Sequence, residues 1–178
     1  MTGKAICAWA AVAALGGLAS AREIGSLVVT SSAFANNGAI PREYTCEGRG
    51  VSPPISWSAV PPETKSVAVI VDDADAPGGT FAHFVAFNLT PGERALTGAL
   101  TPTTPSPYGL TARNSGGTIG FAPICPPAGV HHYRVQVTAL DTTLARPIGA
   151  NASDVASAIE GHVIARGTLV GTYQKSGR

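Results

Sequence analysis

Val71-Asp72-Asp73-Ala74-Asp75-Ala76-Pro77-Gly78-Gly79-Thr80-Phe81-Ala82-His83-Phe84-Val85 is an acidic turn held between two apolar runs. The run before it, Ser66 to Val71, is short and rich in β-branched residues, the pattern of a buried strand. Pro77-Gly78-Gly79 breaks the chain, and Phe81 to Leu89 reads as the next strand. Carboxylates just past a strand end, with a histidine a few residues on, suit a site better than a core. The plainer reading is also open: solvated turn aspartates, and a His83 that merely begins a strand.

A second stretch, Ile124-Cys125-Pro126-Pro127-Ala128-Gly129-Val130-His131-His132-Tyr133-Arg134-Val135, tips the balance toward a site. A rigid Pro-Pro turn feeds a long strand. With a side-chain period of two, His131 and Tyr133 share one face and His132 and Arg134 the other. One short length of backbone can therefore present an imidazole and a phenol together.

Together these stretches resemble the phosphatidylethanolamine-binding protein family, in its bacterial and archaeal branch. Asp73-Ala74-Asp75-Ala76-Pro77 with His83-Phe84 is similar to the family's D-P-D-A-P…H-W signature. Gly120-Phe121, Cys125-Pro126-Pro127, Gly129, His131 and Tyr133 are similar to its G-Y-x-G-P-C-P-P-x-G-x-H-R-Y signature. Further matches run from Tyr44-Thr45-Cys46-Glu47-Gly48 to Leu169-Val170-Gly171-Thr172-Tyr173. The resemblance implies a mainly β fold: a central antiparallel sheet packed on a smaller sheet, with a C-terminal helix and long loops. It also implies a non-enzymatic binding protein with a small pocket for an anion such as phosphate or a phosphorylethanolamine headgroup. The matching ligand-binding positions are Asp73, Asp75, His83, His131 and Tyr133, with Pro126 as pocket wall, and no cofactor is implied. The family is also described as kinase or protease inhibitors, which implies an inhibitor or modulator of a protein partner.

The departures from the family pattern are informative. Ala74 replaces a proline that would fix φ. Phe84 replaces tryptophan and loses an indole donor. Pro123-Ile124 stand where the family has Gly-Pro, and a proline has no N–H to offer an anion. His132 replaces an arginine on the face opposite His131, which implies a lost structural ion pair rather than a lost ligand contact.

Lys4, the apolar run Ile6 to Leu18 and Ala19-Ser20-Ala21 read as a secretory signal over residues 1–21. The run is short of the ~20 residues that cross a bilayer, and no cysteine stands in a lipobox. Residues 22–178 then form a single domain of ordinary size, periplasmic or secreted, with no stable membrane insertion. Cleavage removes Cys7 and leaves Cys46 and Cys125, an even number suited to an oxidising compartment. Their pairing would close a long loop, with roughly 4 kcal/mol as a ceiling. Two unpaired buried thiols are the alternative. A net charge of +1, with no run of Lys or Arg, argues against nucleic acid and against a polybasic membrane contact.

Coarsely, Leu27 to Ser31 reads as a first strand and Ser32 to Pro62 as an irregular excursion anchored by Trp57. Thr90 to Ala122 is long and rich in Gly, Pro, Thr and Ser, the mark of an Ω-type or functional loop. His131 to Leu140 is the longest strand. Asp154 to Arg166 reads as a helix, with Val155, Ala158, Ile159 and Val163 on one face, an Asn151/Asp154 capping pair, and Gly167 as the stop. Thr168 to Tyr173 closes the sheet.

Two carboxylates beside a phosphate are coherent only if imidazoles, a tyrosine hydroxyl and backbone amides outweigh them. A periplasmic hydrolase, metal-dependent or built on an Asp–His acid–base pair, is the competing use of the same residues. Against it, there is no H-x-x-x-H, D-x-H or G-x-S-x-G, and no nucleophile beside a base.

Overall fold

The structure is a computed structural model that describes residues 23–101 and 108–176. The leader read at residues 1–21 lies outside the described residues. Among the described residues, ten strands and one α-helix follow in chain order. They are β1 (Gly25–Ser26), β2 (Val29–Thr30), β3 (Gly38–Ala39), β4 (Ile55–Trp57), β5 (Ser66–Asp73), β6 (Phe81–Leu89), β7 (Ala95–Leu96), β8 (Leu110–Thr111), β9 (Val130–Leu140), α1 (Ala152–Ile159) and β10 (Val163–Gln174).

The larger sheet runs β1-β10-β9-β5-β6-β8, with β3 also on β10. Its four long strands are mutually antiparallel. The two-residue strands β1 and β3 join β10 in parallel. The smaller sheet, β2-β4-β7, is antiparallel. Mainly β architecture, two sheets and one helix match the expected fold.

Between the sheets lies the main core. Val67, Val69 and Val71 of β5, Phe84 and Leu89 of β6 and Val135 and Val137 of β9 meet Ile55 and Trp57 of the smaller sheet. The opposite face of the larger sheet is covered in part by α1, whose Val155 and Ile159 pack with Ala68, Val85, Phe87 and Leu140. Burial on both faces explains why β5 reads as a continuous apolar run rather than an alternating one. Each fully buried Val, Leu or Phe contributes about 1.5–3 kcal/mol relative to exposure.

The helix is shorter than its periodicity predicts. It spans Ala152–Ile159, and the chain from Val163 is strand β10. Gly161 at φ 84° reverses the backbone, a conformation that excludes most side chains. The β-branched Val163 and Ile164 then extend along β9, pairing from Val163↔Leu140 to Gln174↔Val130. Pairing across the whole length of β9 outweighs the helical spacing of Val163, while Val155, Ala158 and Ile159 stay in the helix. Gly167 is therefore no helix stop but a mid-strand residue, where a Cβ would collide with the Leu27 carbonyl. Asn151 does stand at the N-cap, but its amide reaches the Asp154 carboxylate at 3.2 Å rather than a backbone N–H.

Of the expected first strand, Leu27 to Ser31, only Val29–Thr30 is extended in a sheet, as β2 of the smaller one, while β1 lies just before it and joins the larger. Ser32 to Pro62 carries β3, a 3-10 turn at Arg42–Tyr44 and β4, with Trp57 buried as anticipated. Within the described part of Thr90 to Ala122, only β7 and β8 are regular.

Candidate functional site

Strand pairing assembles the site before any ligand is considered. Asp73, at the end of β5, pairs with Phe81 of β6 on one side and Tyr133 of β9 on the other. His131 lies two residues from Tyr133, and His83 two residues from Phe81, so the rows bring two imidazoles beside one carboxylate. A bulge completes the set. Val71 pairs with Phe84 but Asp72 with Ala82, leaving His83 as the extra residue of β6. In a regular strand His83 and Phe84 would point to opposite faces. Here Phe84 packs in the main core, and the His83 ring lies 5.4 Å edge-on to Tyr133 of that same core. Bulges of this kind re-aim side chains beside sites.

The His83 ring is fixed by its neighbours. Its Nδ1 donates to the Ala122 carbonyl at 2.8 Å, while the Ala122 amide donates to the His83 carbonyl at 2.8 Å. A carbonyl can only accept, so Nδ1 carries hydrogen and Nε2 of the neutral ring presents a lone pair. Burial pushes the His83 pKa below its usual range, outweighing the Ala122 bond and the charges of Asp73 and Asp72, which pull it up. His83 is therefore a neutral acceptor near pH 7.

Asp73 is 4% exposed and has a partner at each oxygen. Oδ2 lies 2.7 Å from Nδ1 of buried His131, and Oδ1 accepts the Asp75 amide at 2.9 Å. The Tyr133 hydroxyl is buried and makes no hydrogen bond of sound geometry among the described residues. Burial first, then the Asp73 charge, pushes its pKa well above the ordinary phenol value. It stays an O–H donor whose nearest acceptor is the Asp73 carboxylate, which also raises its pKa, although the two do not meet in good hydrogen-bond geometry.

A cavity of about 260 Å³ opens here, bounded by Asp73, Phe81, His83, Ala122, Pro123 and Cys125, with Ala76, Pro77 and Pro127 at its edge. His131 and Tyr133 stand beside the lining residues, through Asp73 and the ring contacts, rather than among them. Pro126, expected as wall, is buried and absent from the lining; Pro123 and Pro127 take that place. None of the lining residues is Lys or Arg.

Asp75 goes elsewhere. Its Oδ2 accepts both the His132 amide at 2.8 Å and His132 Nδ1 at 2.7 Å, on the exposed side of the turn. Those bonds from His132 lower the Asp75 pKa. His132 thus supplies two hydrogen bonds to Asp75 at the position where the departure from arginine implied a lost ion pair. Asp72, which the sequence reading passed over, points to the outer face. It accepts Arg134 Nε at 2.7 Å, Arg134 Nη2 at 3.1 Å and Gln136 Nε2 at 3.0 Å. Three aspartates in four residues therefore serve three different partners. The signal for Asp72 was the period-two alternation, which sets it opposite Asp73.

The far wall is held covalently. Cys46 and Cys125 form a disulfide with Cα atoms 5.3 Å apart, across 79 residues. A bridge between Thr45 and Ile124, with the Cys46 amide donating to the Ile124 carbonyl at 2.9 Å, lies directly beside it. Among the described residues, no group of three or more His, Cys, Asp or Glu gathers as a metal site, and no helix is long and apolar enough to cross a membrane.

Comparison with known proteins agrees with this architecture. Residues 30–174 match the family model described as phosphatidylethanolamine-binding protein. A UPF0098 protein of Methanothermobacter thermautotrophicus is 43% identical over 144 residues, 80% of this chain and 95% of its own. A Mycobacterium tuberculosis relative with a lipoprotein name is 36% identical over 83% of this chain and 72% of its own. Among solved structures, a Chlamydia trachomatis phosphatidylethanolamine-binding protein homologue superposes with a TM-score of 0.77 at 36% identity. It covers 85% of this chain and 99% of that one. Escherichia coli YbcL gives a TM-score of 0.76 at 30% identity, covering 84% of this chain and 99% of that one.

Proposed function

We propose, because this chain belongs to the phosphatidylethanolamine-binding protein family, that the His83 pocket binds a small phosphorylated headgroup without turning it over. The observation that carries the reading is His83 in the cavity wall, its Nδ1 held by the Ala122 carbonyl and its Nε2 lone pair without a protein donor. A phosphoryl group that keeps one proton answers it, donating its O–H to the imidazole.

The proton decides the selectivity. With Asp73 as the sole charged side chain lining the cavity and no cation there, a bare dianion meets a carboxylate without compensation. A phosphomonoester has its second pKa near 6, so the proton-bearing monoanion dominates below about that pH. Affinity for O-phosphorylethanolamine is expected to rise as pH falls from 8 to 6, by up to about tenfold per unit. Whether the ligand keeps the proton or His83 takes it, one proton enters the complex and the sign is the same. The other ionisable groups around His83 are Asp73 in the lining, His131 and Tyr133 beside it, and Asp72 on the far side of the sheet.

Sulfate has the shape of phosphate but carries no proton near neutrality. Calorimetric titration at pH 6 should give saturable binding of O-phosphorylethanolamine and phosphate, weak or no binding of sulfate, and a loss of roughly 10- to 150-fold in His83→Ala. Equal affinity for sulfate, an unchanged isotherm in His83→Ala, or phosphate release lost with that substitution would overturn the reading.

An extracytoplasmic location is part of the proposal. The leader-like residues 1–21, the disulfide and the lipoprotein-named relative support it. Protein recovered after export should begin at Arg22, and an intact Met1 in that fraction would contradict export by cleavage. Any protein partner would then be met outside the cytosol.

A further inference from the structure

We infer a second binding site, for a small amphipathic monocarboxylate, in the cleft between α1 and the outer face of the larger sheet. The cleft holds about 320 Å³ and shares no lining residue with the His83 pocket, which lies on the other side of the sheet. Cavities of this size are within the range of small-molecule sites. Protein interiors are otherwise close-packed. Its floor is Ile70, Ala82 and Val85 and its helix wall Ala152, Ala156 and Ile159. Three of these six are alanines, where a larger side chain would close the space.

The polar groups define the ligand. At one end Asp72 lines the cleft, but its oxygens are occupied by Arg134 and Gln136. Two same-face rows along the strands from Asp72, about 13 Å at 3.3 Å per residue, stands Arg166, whose neighbour in register is Thr138. Arg166 is half-buried. Its Nη2 meets exposed Glu160 only at 3.5 Å, and its Nε is buried with no acceptor among the described residues. The capacity left unused in the cleft is therefore that of a donor and a cation.

Asp72 is balanced by Arg134, and Glu160 is exposed and holds Arg166 only at 3.5 Å, so the guanidinium released from that long contact can compensate one added negative charge and no more, which favours a carboxylate over a phosphate dianion. The apolar floor requires an apolar body. At about 30 Å³ per water-sized atom, the space takes on the order of ten non-hydrogen atoms. An eight-carbon fatty acid has that size. Binding moves the Arg166 guanidinium from its long contact with Glu160 to the bidentate pairing that carboxylates favour.

Octanoate titrated into ¹⁵N-labelled protein tests this. Saturable shifts are expected at Ile70, Val85, Ala156 and Arg166, with none at His83, and octan-1-ol should bind more weakly. Arg166→Gln should weaken octanoate binding about tenfold, and Glu160→Gln, which removes the competing carboxylate, should strengthen it. Ala156→Leu should fill the cleft and block binding; if that variant fails to fold, the two rim substitutions still decide. Shifts gathered at His83, non-saturating shifts, or equal affinity in Arg166→Gln would overturn the assignment. His83→Ala should bind octanoate as the parent does, so this site stands or falls apart from the headgroup pocket.

Discussion

Asp73→Ala is expected to destabilise the fold by about 2–5 kcal/mol, while Asp75→Ala, two residues on, leaves the unfolding midpoint close to that of the parent. The difference is burial and occupancy. Removing the Asp73 carboxylate strands the Nδ1–H of buried His131 and frees the amide of exposed Asp75, and a buried donor without a partner costs about 1–3 kcal/mol, to which lost packing at the buried site adds. Native domains hold only about 5–15 kcal/mol in total, so this one change removes a large share. The Asp75–His132 pair is exposed, and exposed pairs contribute little. Urea unfolding of both variants checks the contrast. Equal midpoints would mean that Asp73 is not the buried centre of the site. Asp73→Asn keeps one acceptor and should fall between the two.

Reduction of Cys46–Cys125 carries the other large effect. The bond closes a loop of 79 residues, for which chain entropy sets a ceiling of about 4 kcal/mol. It also tethers the segment that carries Ala122, Pro123 and Cys125 to the 3-10 turn region near Thr45. The double substitution Cys46→Ser/Cys125→Ser should lower the thermal midpoint by roughly 10 °C, at about 2–4 °C per kcal/mol for a domain of this size. It should also weaken headgroup binding, because the Ala122 carbonyl that orients His83 sits on the released segment. An unchanged midpoint with and without reductant would show that the neighbouring Thr45–Ile124 bridge holds the wall unaided.

Of the four long strands, β10, the longest at 12 residues, reads in part as helix. The other three, β5, β6 and β9, were legible because apolar runs such as Ser66 to Val71 carry their own signal. The short strands were not: β1, β3 and β8 are two residues each, and pairing with β10 and β6 defines them. The 154–166 segment misled because apolar spacing at its start fits a helix, while the β-branched Val163 and Ile164 belong to the sheet. At the site, period two places His131 and Tyr133 on one face, and they do lie together, rings 6.4 Å apart. The same rule would put Asp73 and Asp75 together, yet β5 ends at Asp73 and the turn carries Asp75 round to His132. The inward aim of His83 depends on a bulge that no residue type announces. Its tautomer depends on a carbonyl 39 residues away.

The central claim is that His83 offers a lone pair at Nε2 and receives a proton-bearing phosphoryl group there. Two-dimensional ¹H–¹⁵N spectra of the histidine rings, recorded with and without O-phosphorylethanolamine at pH 6, test both halves at once. The free protein should show His83 protonated at Nδ1 and bare at Nε2. Saturating ligand should move the Nε2 signal toward a hydrogen-bonded or protonated nitrogen while Nδ1 stays as it was. A free His83 that carries its hydrogen on Nε2, or ring signals that ligand leaves unmoved, would contradict the account.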